Sequence, residues 1–184
     1  NDGILDANDT LIGNKSWIRT NVDGLNMQIN GTDQLNQFFN GILFVNVTDG
    51  SGIITQFNWL FSNDTRLDLS NVKIMKSIKN GRAYVNIYGF DLSSQNNKKT
   101  VYLNQTNASL EALCVHDEEV FDISKVALDC LSGDYIDCGE SQDCTKNGSV
   151  YKITGLSHTF VHQTQIQTSS TTTTTLGGGG GGST

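Results

Sequence analysis

The sequence predicts a mainly β protein, an antiparallel β-sandwich of immunoglobulin-like or related type, with few short helical turns. Three observations carry this. Most apolar stretches alternate with a period of two residues, which half-buried strands require. Turn signals recur between them, in Asp49-Gly50-Ser51-Gly52, Asn80-Gly81 and Gln95-Asn96-Asn97. The third is the absence of proline in all 184 residues, so turns fall to Gly, Asn and Asp.

In chain order, the first strand signal spans about residues 16–30. Thr32 can cap a short helical turn that places Leu35, Phe38 and Phe39 on one side and ends at Asn40-Gly41. In Leu43-Phe44-Val45-Asn46-Val47, alternation sends Leu43, Val45 and Val47 inward and Asn46 outward. Ile53, Thr55, Phe57, Trp59 and Phe61 share one strand face and read as core, because buried aromatics dominate such interiors. A strand near 67–76 follows, and Asn80-Gly81 between Ile74–Ile78 and Ala83–Ile87 predicts a tight hairpin. Ala83, Val85 and Ile87 face one way, and Tyr84, Asn86 and Tyr88 the other. Val101 and Leu103 point in and Asn104 out. Strands are expected near 111–116, 150–155 and 158–166, with another helical turn in Asp122–Leu131.

From Thr168 onward a Thr-rich tract runs into Gly177–Gly182. It can bury no core and is expected to be a disordered stalk and flexible linker. The expected organisation is 1–14 as a linker, 15–105 as the sandwich core, 106–167 as a cysteine-containing continuation or small subdomain, and 168–184 as the tail.

Charged residues make up 17% of the chain, against about 25% in ordinary soluble proteins. The net charge of −7 argues against nucleic acid, which demands clustered Lys and Arg. Neither a basic amphipathic segment nor an apolar run of about 20 residues suggests membrane insertion. The chain starts at Asn1, which suggests a piece of a longer polypeptide.

Asn-x-Ser/Thr acceptors occur eight times, at Asn8, Asn14, Asn30, Asn46, Asn63, Asn104, Asn107 and Asn147. Chance predicts roughly three in such a composition, so the excess points to N-glycosylation. Cys114, Cys130, Cys138 and Cys144 fall within 31 residues and lack a Cys-x-x-Cys pair. Two disulfides in an oxidising compartment fit better than structural zinc. Of three possible pairings, Cys114–Cys130 and Cys138–Cys144 close the shortest loops.

Other candidate chemistry is sparse. His158 and His162 share a strand face but stand roughly 13 Å apart, too far for one metal, so they and His116 read as structural. Trp17, Tyr84 and Tyr88 are the aromatics that would stack on sugar rings if exposed. No nucleophile elbow, phosphate loop or zinc-hydrolase motif occurs, and no carboxylate pair is singled out for glycoside hydrolysis.

Asn1-Asp2-Gly3-Ile4-Leu5-Asp6-Ala7-Asn8-Asp9 resembles the end of the aspartate-rich calcium loop of thrombospondin type-three-like and dockerin-like repeats. The resemblance implies Asp2, Asp6 and Asp9 as part of a calcium set whose first two aspartates lie upstream. Further segments resemble an uncharacterised module of large archaeal cell-surface proteins. They are Phe57-Asn58-Trp59-Leu60-Phe61-Ser62-Asn63, Leu67-Asp68-Leu69-Ser70-Asn71-Val72, Lys99-Thr100-Val101-Tyr102-Leu103-Asn104, Leu113-Cys114-Val115 with the later cysteines, and Tyr151-Lys152-Ile153-Thr154-Gly155-Leu156-Ser157-His158-Thr159. The match covers about residues 50–162; Asp129-Cys130-Leu131-Ser132-Gly133 departs from it and leaves the pairing open. It implies an envelope-exposed building block without catalytic residues, whose partners are neighbouring domains, surface glycans or other envelope proteins. The competing expectation is a carbohydrate-binding module attached to a secreted enzyme.

Overall fold

A computed structural model describes residues 9–165 apart from 91, 93, 94, 96, 117, 119, 124, 125, 127–129, 131, 132 and 158. Its strands are β1 (Leu11–Ile12), β2 (Arg19–Thr20), β3 (Asn26–Ile29), β4 (Gly41–Asp49), β5 (Gly52–Phe61), β6 (Leu67–Asp68), β7 (Lys73–Lys79), β8 (Arg82–Tyr88), β9 (Lys99–Asn104), β10 (Ala112–His116), β11 (Asp134–Asp137), β12 (Cys144–Asn147), β13 (Val150–Leu156) and β14 (Thr159–Thr164). Single 3-10 turns occur at Lys15–Trp17 and Leu69–Asn71.

Two six-stranded sheets form the body: a first in the order β11-β10-β14-β8-β7-β2 and a second in the order β12-β13-β9-β5-β4-β3. Pairing is antiparallel except for two short parallel pairs, β2 with β7 and β1 with β6. Their facing sides share one core, with Val45, Val47, Phe57, Phe61, Val101, Leu103 and Ile153 from the second sheet and Ile74, Val85, Ile87, Leu113, Val115 and Val161 from the first. Each such side chain contributes about 1.5–3 kcal/mol by leaving water. Asp49 at the end of β4 accepts a 2.7 Å ion pair from Lys76 on β7, clasping one sheet to the other.

The hairpin at Asn80-Gly81 follows from its turn chemistry. Lys79 pairs with Arg82, and both loop residues take positive φ, 52° and 72°, the type I′ geometry that matches strand twist. The β4–β5 hairpin closes at Asp49 and Gly52, where Asp49 Oδ1 accepts the Ser51 amide.

Some expectations are corrected. Ile53 does not share the core face of Thr55, Phe57, Trp59 and Phe61. A register shift between Val47 and Thr48 sends Ile54 inward and leaves Ile53 exposed. No helical turn forms after Thr32. Its Oγ1 accepts the Gln34 amide and Gln37 donates to the Gln34 carbonyl, so side chains take bonds a helix needs, while Phe38 stays exposed. The 16–30 segment is interrupted at Asn21–Leu25, where Thr20 Oγ1 accepts the Val22 amide and Gly24 has a φ of 66°. Residues 1–14 are not all linker, since Leu11 is core and β1 pairs with β6. The segments 15–105 and 106–167, expected as a core and its continuation or a small subdomain, share both sheets, through β9 with β13 and β8 with β14. The Asp122–Leu131 turn lies largely, and the 168–184 tail entirely, outside the described residues.

Among the described residues no helix is long and apolar enough to cross a membrane.

Candidate functional site

The chemistry-bearing side chains collect on the outer face of the first sheet. On β10, Cys114 and His116 are two residues apart and therefore point the same way. Register does the rest. Antiparallel pairing sets His162 of β14 opposite Cys114 and Phe160 opposite His116. Three ligand-type atoms result, Cys114 Sγ and one ring nitrogen from each of His116 and His162, all within 4.8 Å of one another and all on buried residues. The imidazoles stack at 6.0 Å between centroids, and Phe160 packs against both.

Described residues of the segment between β10 and β11 roof this face. Its Cys130 is bonded to Cys114, and Cys138 is bonded to Cys144. Both bridges join sequence neighbours, and together they point to folding in an oxidising environment. Val120 joins Tyr84 and Phe160 in a second small core, with Met75, Ile123 and Val126 packed around it. Asn86 Nδ2 donates to the Val120 carbonyl and Lys73 Nζ to that of Phe121. Gly133 closes the roof directly over the cluster, since a Cβ there would meet Cys114 Sγ at 2.7 Å and the His116 ring at 2.8 Å.

Within the cluster, His116 Nε2 lies 3.4 Å from Cys114 Sγ, and Nδ1 faces the Glu118 carboxylate at 3.9 Å. Burial pushes the His116 imidazole below its ordinary pKa, although Glu118 and Asp134 oppose that shift. His162 Nδ1 donates to the Gln163 carbonyl at 3.0 Å, which puts the basic lone pair on Nε2. Cys130 takes a φ of 61°, left-handed backbone that costs a non-glycine residue about 1–2 kcal/mol.

Other candidates are dispersed. Tyr84 is buried under the roof and Tyr88 is turned edge-on to Phe121 at 5.6 Å, so neither forms an open sugar platform. Trp17 is 47% exposed, with one ring edge against Gly13. Asp9 is buried, and its Oδ1 accepts the Leu11 amide at 3.0 Å, so the fold itself uses this carboxylate. Asp2, Asp6, Asn8 and His158 lie outside the described residues.

Of the seven described glycan acceptors, Asn14, Asn30, Asn63, Asn104 and Asn147 are exposed, and Asn46 and Asn107 are half-buried, with Asn46 Oδ1 itself buried. Asn46, Asn104 and Asn147 stand in strands of the second sheet, and Asn30 and Asn63 lie within two residues of its strand ends. No acceptor lies in a strand of the first sheet.

Surface clefts of about 220 Å³ and about 290 Å³ lie beside Leu35 and Tyr135. Asp137 and Glu140 line the second, where Asp137 Oδ1 accepts the Gly139 amide within the turn.

Sequence reasoning missed the grouping of His116 with His162 and Cys114. The Cys114-x-His116 spacing was the only local sign, and the third member arrives through strand pairing across 46 residues. No protein-family model, curated protein or solved structure matched the chain.

Proposed function

We propose that this domain is a non-catalytic structural or adhesive module of an extracellular cell-surface glycoprotein, of the kind the archaeal envelope resemblance implies. The observation that carries this reading is the segregation of its acceptor asparagines. In the second sheet they occupy strands and strand ends, while the first sheet has none in its strands and is roofed by protein. Glycans on the second sheet would sit in solvent without contacting either hydrophobic cluster. Two disulfides add support, because they persist in oxidising surroundings. The partners on this reading are neighbouring domains, surface glycans or other envelope proteins.

The carbohydrate-binding alternative needed Tyr84 and Tyr88 as exposed, coplanar rings. With Tyr84 buried and Tyr88 packed on Phe121, it retains only Trp17.

The test is an intact mass of the protein from its native source, alkylated without prior reduction. Blocked cysteines and heterogeneous added mass are expected. Four alkylated cysteines on bare polypeptide would overturn the extracellular reading.

A further inference from the structure

The disulfide under the roof shares its sulfurs with a second arrangement. Cys114 Sγ is within 4.8 Å of both imidazoles, and Cys130 Sγ is bonded to it at 2.07 Å. Opening that bond would therefore free one thiol beside the two imidazoles and a second thiol next to the first, together the donor set of a closed tetrahedral zinc site.

We propose that the Cys114–Cys130 disulfide gates a buried zinc site, and that Cys114, Cys130, His116 and His162 bind one zinc ion when the bond is reduced. This inference goes beyond the surface-module reading and does not depend on it.

Geometry and charge support the set. Donors about 2.0–2.3 Å from zinc lie ~3.3–3.8 Å from one another, so Cys114 Sγ and the two imidazole nitrogens need to close in by up to about 1 Å, while Cys130 Sγ, freed from its bond, has to move away from Cys114 to take the fourth position. Two thiolates and two neutral imidazoles around a divalent ion carry no net charge, which suits a site with Cys114 and His162 fully buried. One supporting contact stands in place: His162 is oriented by the Gln163 carbonyl, an outer partner of the kind that orients imidazole ligands and raises their basicity. The Glu118 carboxylate stands 3.9 Å from His116 Nδ1, about 1 Å beyond such a bond. Cys138 and Cys144 supply no part of it, being bonded to each other at the β12 edge of the other sheet.

The exchange balances. A dithiol delivers two electrons and two protons to the Sγ–Sγ bond and leaves as its own disulfide. Zinc then displaces the two thiol protons to solvent and takes the two thiolates and two imidazoles.

The test is reduction of the full chain with a phosphine, which ends as its oxide, followed by anaerobic titration with Co²⁺ as the probe. The intense visible absorption of a tetrahedral cobalt–thiolate centre is expected, saturating at one ion per chain and abolished by Zn²⁺. The same spectrum should survive in the Cys138→Ser, Cys144→Ser double variant. His116→Gln or His162→Gln should weaken cobalt binding at least about tenfold. Because these variants could misfold, a second measurement uses the unaltered chain: Zn²⁺ should protect Cys114 and Cys130, but not Cys138 and Cys144, from alkylation. Absence of the cobalt–thiolate bands, whether the reduced chain stays folded or not, would overturn the proposal. So would equal alkylation of all four cysteines, or a spectrum that needs Cys138 and Cys144.

Discussion

The two outer faces of the sandwich differ more than the two sheets do. On the first sheet, β8 is buried without interruption from Ala83 to Ile87, and β10 and β14 are buried along their whole lengths. On the second, β9 alternates buried and open positions, and β4 leaves Ile42 at 66% and Phe44 at 43% exposure. The cause is a roof. Described residues of the β10–β11 segment cover the first face, whereas Ile42 and Phe44 on the second stay exposed. Strand alternation thus reports whether a face meets water, and its loss reports a second layer.

The sharpest break of this comparison is a pair of phenylalanines. Phe160→Ala, beneath the roof, should lower unfolding free energy by about 3–5 kcal/mol. Phe44→Ala, on the open face, should stay within about 1 kcal/mol. Urea titrations of both variants decide it, and equal losses would show that the faces do not differ as described.

Next in size are the bridges. Replacing Cys114 and Cys130 by Ala should cost about 3 kcal/mol and raise amide exchange across the roof and β11. The shorter Cys138–Cys144 loop should cost about 2 kcal/mol when opened and leave roof exchange unchanged. Exchange monitored by mass spectrometry separates the two.

A smaller effect belongs to the clasp between sheets. Burial works to raise the Asp49 carboxyl, but bonds from Lys76 and Ser51 outweigh it and hold the pKa below the usual value. The unfolded chain therefore takes up its proton first as pH falls, so this stability is present above about pH 4 and lost below it. Asp49→Asn should cost about 0.5–1.5 kcal/mol at neutral pH and flatten that part of the acid limb. A stability profile between pH 7 and pH 3 measures both.

The smallest change is expected from Asn46→Gln on the open face, within about 0.5 kcal/mol. In protein from the native source it should remove one glycan from the intact mass.

What was legible in the sequence was local. Asn80-Gly81 specified its hairpin because two positive-φ residues admit few turns, and Val101, Leu103 and Asn104 sorted correctly because their strand has one wet side. Tyr84 and Asn86 were correctly placed opposite Ala83, Val85 and Ile87, but nothing local said that Val120 and its neighbours would lie over them. The break after Thr32 escaped because side-chain hydrogen bonds compete with helix at similar strength. The imidazole pair escaped because register between β10 and β14 exists only once both strands are in place.

That last strand has a consequence for how the chain is made. β14 sits in the middle of the first sheet, and it alone joins β11-β10 to β8-β7-β2. A polypeptide leaving the ribosome from its N-terminus at about 5–20 residues per second would carry two unjoined half-sheets until Thr159–Thr164 emerges. During that wait, the edges of β8 and β10 are unsatisfied templates for any other strand.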